Sequence, residues 1–159
     1  MLAQLAADRK FRRFPLAIYS GAELSDGRVA VRFKAVSGGA AKAAGLVWRY
    51  QDEHNYYVVR ADALRENVVL MKVENGRRRE LGSFGRRTPD DEFSPELDVP
   101  TSQWSRLAVN FSGSHFTVFF DGVKLFDADD ATFSRPGSIG LWTMADSISY
   151  FDDFEFSPE

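Results

Sequence analysis

The stretch 45–60, GLVWRYQDEHNYYVVR, decides the fold class because it has the pattern of a β-hairpin. Two runs rich in aromatic and β-branched residues flank the polar turn Asp52-Glu53-His54. The same pattern recurs along the chain, and Asn75-Gly76 joins two further runs with the dipeptide most typical of a two-residue hairpin. We predict about eleven short antiparallel strands and almost no helix, with residues 1–7 as the one helical candidate.

The size and composition indicate one all-β domain that spans residues 1–159. The 159 residues can form a substantial core, since 44% are hydrophobic and 14 are Phe. Many short antiparallel strands in one domain favour a two-sheet β-sandwich or a barrel. Residues 84–102, FGRRTPDDEFSPELDVPTS, show no alternation and are predicted to be a long loop.

The charge and the cysteine count exclude several classes of function. A net charge of −3 and a pI near 5.5 argue against a nucleic-acid-binding protein, although basic clusters occur at 9–13 and 77–79. With no cysteine, the chain has no disulfide, thiol nucleophile or Cys-based zinc site. We find no membrane span and no apolar signal-peptide core in this chain.

We find no catalytic motif and assign no catalytic residue. Only two histidines exist, both at or beside predicted turns, so a Ser-His-Asp triad is not expected. The pairs Asp127/Asp129 and Asp153/Glu155 have the spacing of two carboxylates on one strand face, which glycoside hydrolysis requires. Neither pair is flanked by an aromatic platform, and the Glu-x-Asp-x-x-Glu motif of jelly-roll glucanases is absent.

Asp152 is the candidate for a structural calcium site. It shares strand parity with Tyr150 and Phe154 and is therefore predicted to point inward. A buried carboxylate needs a cation or hydrogen-bond donors. Calcium is one interpretation, and an aspartate that accepts backbone N–H groups is the alternative; no other cofactor is expected.

Two runs in this sequence resemble a known family. They are AGLVWRYQDEHNYYVVRADALRENVVLMKVENGRRREL (44–81) and GLWTMADSISYFDDFEF (140–156). They are similar to bacterial laminin-G-like, concanavalin A-like jelly rolls related to the 3-keto-disaccharide hydrolase domain, and the resemblance covers about residues 2–156. It implies two curved antiparallel sheets, of which the concave one often holds sugar.

The resemblance also implies a location and an amino-terminal difference. Similar proteins usually carry a leader peptide, which implies a periplasmic or secreted protein. Longer relatives have an additional amino-terminal strand, so this chain is predicted to be shortened at its front, with a strand edge left unpaired. Met144 also replaces a lysine that is usual in the family.

Our first hypothesis is a non-catalytic carbohydrate-recognition module that binds an oligo- or polysaccharide as a monomer. Alternation predicts Trp48 and Tyr50 in the core. It predicts Arg49 on the open face, together with Arg60 if the turn register brings both to the same side, and it separates Tyr56 and Tyr57 onto opposite faces. The candidate ligand-binding residues combine aromatic, basic and amide groups. They are Arg49, Asp52, Asn55, Tyr57, Arg60, Trp142 and Asp146.

Two alternatives stay open at this point. The first is an enzyme that acts on a disaccharide or polysaccharide, as the family label implies. The second is a structural or protein-interaction sandwich without a sugar ligand.

Overall fold

The computed structural model describes residues 1–5, 14–88 and 90–159, with the backbone alone at Gln4. The described residues form twelve β-strands and no helix, so the all-β prediction is confirmed. Their bounds are β1 Leu2–Gln4, β2 Leu16–Leu24, β3 Gly27–Ser37, β4 Ala43–Asp52, β5 Asn55–Asp62, β6 Asn67–Glu74, β7 Arg77–Gly85, β8 Trp104–Ser112, β9 His115–Phe120, β10 Val123–Asp129, β11 Gly137–Thr143 and β12 Ile148–Pro158.

The twelve strands form two six-stranded antiparallel sheets. Sheet A has the order β1-β12-β3-β8-β9-β10, and sheet B has the order β2-β11-β4-β5-β6-β7. The predicted sandwich is therefore confirmed. The helix predicted at 1–7 is wrong, because Leu2–Gln4 pairs with β12 as an edge strand; residues 6 and 7 lie outside the described ranges.

The main core lies between the two sheets. Trp48 is fully buried at its centre, with ring centroids 5.5 Å from Tyr57, 6.0 Å from Phe111 and 5.4 Å from Phe116. Large aromatic rings at this separation bury much apolar area and prefer such offset or edge contacts. The prediction that Trp48 belongs to the core is confirmed.

A second apolar cluster covers the outer face of sheet B. Val47, Val58 and Met71 lie side by side on three neighbouring strands and are buried. Phe14, which precedes β2, packs against this cluster. Sheet B is thus apolar on both faces, which explains the nearly continuous hydrophobic run of β6, NVVLMKVE.

A β-bulge at Arg49 changes the predicted orientations. Arg49 has a φ of 47°, and the pairing of β4 with β5 shifts between Trp48 and Asp52. The extra residue turns Tyr50 to the outer face, where it contacts Tyr56. The prediction that Tyr50 shares the core face with Trp48 is therefore wrong. The separation of Tyr56 and Tyr57 onto opposite faces is confirmed.

The turns and the long loop follow the sequence pattern closely. Asn75 and Gly76 have φ values of 50° and 75°, as a two-residue turn of this type requires. The long loop begins after Gly85 rather than at residue 84, and Pro89 lies outside the described residues. Val99 is 2% exposed and packs into the main core, so the second half of the loop is anchored.

Candidate functional site

A groove on the outer face of sheet B lies between the β4–β5 and β6–β7 turns. It has a volume of about 630 Å³. We call it the sheet B groove, and its lining combines aromatic, apolar, acidic and basic side chains. These are Phe14, Glu53, His54, Tyr56, Val73, Gly76, Arg77 and Arg78.

Hydrogen bonds between the two turns position the mouth of this groove. The Asp52 carboxylate accepts a bond from the His54 backbone N–H at 2.8 Å and from the Asn55 side chain at 2.9 Å. The Asn55 side-chain oxygen in turn accepts from the Asn75 N–H at 3.0 Å, and Gly76 donates to the His54 carbonyl at 3.0 Å. The two turns therefore form one connected unit.

These bonds also keep the rim negatively charged. The backbone N–H of His54, followed by the Asn55 amide, holds the pKa of Asp52 below its usual value. Glu53 lies beside it, 3.3 Å from the His54 Nε2 atom. The rim thus presents carboxylates as acceptors and an imidazole that can donate or accept a hydrogen bond.

Aromatic rings form the inner wall of the groove. Phe14 stacks on Trp142 with a centroid separation of 5.4 Å and an interplanar angle of 8°. The Arg78 guanidinium lies 4.2 Å from the centroid of Phe14. Burial raises the pKa of Tyr56, and a hydrogen bond from Trp142 partly offsets that effect. The phenol therefore stays neutral and available for hydrogen bonding.

Gly45 makes this wall possible. Trp142 lies directly opposite Gly45 in the pairing of β11 with β4. A Cβ at Gly45 would lie 2.8 Å from the Val59 carbonyl oxygen and 3.2 Å from the Trp142 ring. Only a residue without a side chain lets the indole lie flat over the sheet.

Of the seven residues predicted from the sequence, Asp52 and Asn55 lie together at the rim of the groove. Asp52 is exposed and Asn55 is partly exposed. The structure does not bring the other five to this rim. Three are buried, Arg60 is only 12% exposed, and Asp146 is bound to a loop.

Arg49 and Tyr57 lie at the opposite side of sheet B, facing the sandwich interior. Arg49 is 3% exposed and donates to the carbonyls of Ser25 and Phe133, each at 2.9 Å. The prediction that it faces the open side is wrong, because the bulge turns its side chain inward. The Tyr57 hydroxyl donates to the Asp130 carboxylate at 2.7 Å, and burial raises its pKa.

Arg60 and Trp142 lie on the outer face of sheet B but are not open to solvent. Arg60 donates to the Asn67 side-chain oxygen at 2.9 Å and lies 3.7 Å from the buried Asp62 carboxylate. Burial lowers the pKa of Arg60. Trp142 is 1% exposed under Phe14. Arg60 lies on the face that was predicted for it. The prediction that its side chain is open to solvent is wrong, because it is only 12% exposed.

Asp146 stabilises a loop. Its carboxylate accepts backbone N–H bonds from Gly39 at 2.8 Å and from Ala40 at 3.1 Å. The Gly39 bond, followed by the Ala40 bond, lowers the pKa of Asp146. These bonds occupy both of its oxygens.

Asp152 does not point inward. It is 43% exposed, and its side-chain oxygen lies 3.8 Å from the amino-terminal nitrogen. A bulge at Asp153, whose φ is 48°, disturbs the alternation from which the inward orientation was predicted. Within the described ranges, no group of three or more His, Asp and Glu residues is placed to hold a metal ion.

A second, smaller pocket lies on sheet A beside the β8–β9 turn. It has a volume of about 240 Å³ and includes His115, Thr117 and Arg28 in its lining. His115 lies 2.8 Å from Asp129 and 3.2 Å from Asp127. The Asp129 hydrogen bond, which outweighs the opposing effect of burial, raises the pKa of His115.

Sequence reasoning missed the contribution of Phe14, His54, Arg77 and Arg78 to the sheet B groove. The signal for the arginines was present, because the run follows the Asn75-Gly76 turn directly and so lies at a hairpin tip. No local pattern connects Phe14 with Trp142, since the two are 128 residues apart in the sequence.

Fold comparisons place this molecule among antiparallel β-sandwiches of the concanavalin A-like class. The chain is similar to the carbohydrate-binding module CBM66 from Bacillus subtilis, with 24% identity, a TM-score of 0.75, and coverage of 91% of this chain and 80% of that one. It is also similar to CG-16, a homodimeric agglutinin from chicken liver, with 14% identity, a TM-score of 0.60, and coverage of 91% and 100%. The Caenorhabditis elegans galectin LEC-6 matches with 10% identity, a TM-score of 0.56, and coverage of 93% and 98%.

The chain belongs to the family of 3-keto-alpha-glucoside-1,2-lyase-like domains, whose model matches residues 12–156. The family resemblance predicted from the two quoted runs is confirmed. A comparison with curated proteins by sequence gives no match. Within the described residues, no helix has the length and hydropathy of a membrane span.

Proposed function

We propose that this protein binds carbohydrate, and that the sheet B groove is its binding site. The observation that carries this proposal is the lining of the groove. Aromatic and apolar walls at Phe14, Tyr56 and Val73 lie beside acidic and basic groups at Glu53 and Arg77. Binding sites for small polar molecules combine such walls with a few convergent polar groups.

The chemistry of the groove matches that of a sugar ring. The C–H side of a sugar ring packs on aromatic and aliphatic carbon, whereas its hydroxyls both donate and accept hydrogen bonds. Glu53 accepts, Arg77 donates, and His54 can do either. Asp52 and Asn55 hold the rim in place, and we propose that they add contacts to sugar hydroxyls.

The similar proteins support the same proposal. One is named a carbohydrate-binding module and another an agglutinin. These proteins share their fold with this chain, and the sheet B groove is the place where we propose that this chain binds its ligand. The buried residues Arg49, Tyr57 and Trp142 and the partly buried Arg60 then support the groove or the core and need not contact sugar.

The aromatic rings of sheet A are less suited to this role. Trp104 has the Arg32 guanidinium 5.0 Å and the Lys34 ammonium 5.1 Å from its centroid. Phe119 has Arg28 at 5.2 Å. Cations already occupy the ring faces on which a sugar would stack.

We further propose a location and an assembly state. Because similar proteins usually carry a leader peptide, we expect a periplasmic or secreted bacterial protein that acts as a monomer. Cell fractionation together with light scattering checks both statements.

The chain offers a matched pair of variants for testing the site, because it has only two histidines. His54 lines the sheet B groove and His115 lines the sheet A pocket. In calorimetric titrations against a panel of oligosaccharides, His54→Ala should weaken binding by about threefold to tenfold, the effect of one lost hydrogen bond. His115→Ala should leave the affinity unchanged. The reverse pattern would move the site to sheet A.

Turnover of a glycoside is the second candidate function, and membership of a lyase-like family favours it. Incubation with 3-keto-glucosides and with a panel of ordinary glycosides separates the two. Product formation that is lost in Glu53→Gln would establish an enzyme, whereas binding without product supports the recognition module. If the protein neither binds nor converts any sugar, a structural or protein-interaction sandwich remains.

A further inference from the structure

At the tip of the β6–β7 hairpin, Arg77 and Arg79 carry positive charge that no described carboxylate neutralises. Arg77, Arg78 and Arg79 follow the turn directly and are exposed. Arg78 lies over the Phe14 ring. Neither Arg77 nor Arg79 has an ion pair with any described residue.

The arginines that follow the other end of β7 do have carboxylate partners. Arg86, which follows β7, lies 3.2 Å from the Glu66 carboxylate. Arg87 lies 3.7 Å from Glu80. Two pairs of arginines with similar exposure therefore differ in whether the chain supplies them with a carboxylate.

The arginines at the tip line two adjoining grooves. The sheet B groove shares Arg77 and Arg78 with a second groove of about 680 Å³ on the opposite side of the hairpin. We call this second one the hairpin groove. It is lined by Lys72, Glu74, Asn75, Arg77, Arg78 and Arg79.

The combined lining includes exposed positive charge on a negatively charged protein. Lys72 is buried and paired with Glu74 at 3.4 Å and with Asp130 at 3.2 Å, whereas Arg77 and Arg79 are exposed and have no ion pair with a described residue. The whole protein has a net charge of −3. These two arginines would therefore attract a ligand that carries negative charge.

We propose that the carbohydrate bound by this protein is an anionic polysaccharide. This inference rests on the proposed function and specifies its ligand. The sugar rings lie in the sheet B groove, and the chain continues around the hairpin tip into the hairpin groove. Its carboxylate or sulfate groups bind Arg77 and Arg79, since a guanidinium presents paired N–H donors to such oxyanions.

Exposed arginines on β7 also suit a structural role. This strand is an edge of sheet B, and charged side chains on an edge strand prevent pairing with another molecule. Edge protection predicts self-association when the arginines are removed and no change in ligand binding. The test below measures both properties.

The experiment compares Arg77→Gln/Arg79→Gln with the matched control Arg86→Gln/Arg87→Gln, which removes the same charge from the other end of β7. Each full-length protein is titrated with oligogalacturonate, sulfated dextran oligosaccharide, neutral malto-oligosaccharide and single-stranded DNA of matched length. Titrations are run at low and at physiological salt, and light scattering follows the oligomeric state.

We expect one of the two anionic sugars to bind about tenfold more tightly than the neutral sugar at low salt, as expected for two exposed charge-assisted contacts. The preference should fall at physiological salt. Arg77→Gln/Arg79→Gln should abolish this preference, and the control variant should keep it. Binding of oligogalacturonate would show that the site recognises carboxylates, and binding of the sulfated dextran oligosaccharide would show that it recognises sulfates.

Other results overturn the inference. Equal affinity for neutral and anionic sugars would leave the carbohydrate-binding proposal standing and contradict the anionic ligand. Absence of binding to every sugar would contradict both. DNA binding as tight as the sugar binding would indicate general attraction to polyanions, and self-association with unchanged binding would establish edge protection instead.

Discussion

The outer faces of the two sheets carry different chemistry. On sheet A, charged side chains cover the aromatic rings, and pairs such as Arg106 with Glu155 at 2.6 Å remain exposed. On sheet B, the corresponding face is apolar and buried, with Trp142 beneath Phe14. The strand framework is the same in both sheets, so the side chains alone make one face a solvated surface and the other the wall of a groove.

Matched tryptophan substitutions should show the largest difference between the faces. Trp142→Ala removes a buried ring from sheet B and should lower the free energy of unfolding by about 3–5 kcal/mol. Trp104→Ala on sheet A loses a partly exposed ring and its cation contacts, and should cost about 1 kcal/mol. Urea denaturation measures both values. Equal losses would contradict the distinction between the faces.

A pair of arginines gives the next largest difference. Arg60→Ala removes a buried donor to Asn67 on sheet B and should cost about 2–3 kcal/mol. Arg106→Ala breaks an exposed pair on sheet A and should cost less than about 1 kcal/mol, with a dependence on salt. Denaturation at two salt concentrations separates the effects. If the loss of stability in Arg60→Ala depended on salt, the Arg60 side chain would be more accessible to solvent than the structure indicates.

Gly45→Ala tests the close approach that lets Trp142 lie on sheet B. The added Cβ would meet the Val59 carbonyl oxygen at 2.8 Å, so we expect a loss of about 1–3 kcal/mol. Gly39→Ala is the control, because its nearest contact is the Asp146 carboxylate at 3.5 Å. Thermal unfolding of the two variants measures the difference. A neutral Gly45→Ala would show that the indole can shift without cost.

The smallest expected effect is a pH dependence of stability that comes from His115 on sheet A. The Asp129 hydrogen bond raises the folded-state pKa of His115, so its stabilising contribution is complete below the unfolded pKa of about 6.5 and is lost as the pH rises through the folded value. The wild-type protein should therefore melt above His115→Gln at acidic pH and lose that advantage in alkaline solution. A difference that does not vary with pH would exclude this linkage.

Alternation and turn residues predict most of the fold. The side-chain pattern of a strand indicates which of its residues face the core, and a dipeptide such as Asn-Gly marks a turn. The sandwich, the Asn75-Gly76 hairpin and the core position of Trp48 all follow from such local signals. Predictions failed where a bulge adds one residue, at Arg49 and Asp153, because nothing in the local pattern distinguishes a bulged residue from an ordinary one.

The site was harder to predict than the fold because its parts come from distant segments. The sequence could place Asp52 and Asn55 side by side because they belong to one turn, and their role in binding stays a prediction. Phe14, Arg77 and Arg78 are brought to that turn by the tertiary fold, which the sequence does not express locally. The hydrogen bonds that Asp146 accepts from the backbone of Gly39 and Ala40 could not be predicted for the same reason, because these donors lie more than a hundred residues away in the sequence.

An NMR titration with the oligosaccharide that binds best can locate the binding site residue by residue. If sugar binds in the sheet B groove, the amide signals of Glu53, His54, Gly76 and Arg77 should shift in proportion to saturation, while those of β3 and β8 on sheet A should not. Shifts confined to the sheet A pocket around His115, or no shift at saturating ligand, would contradict the assignment of the sheet B groove as the binding site.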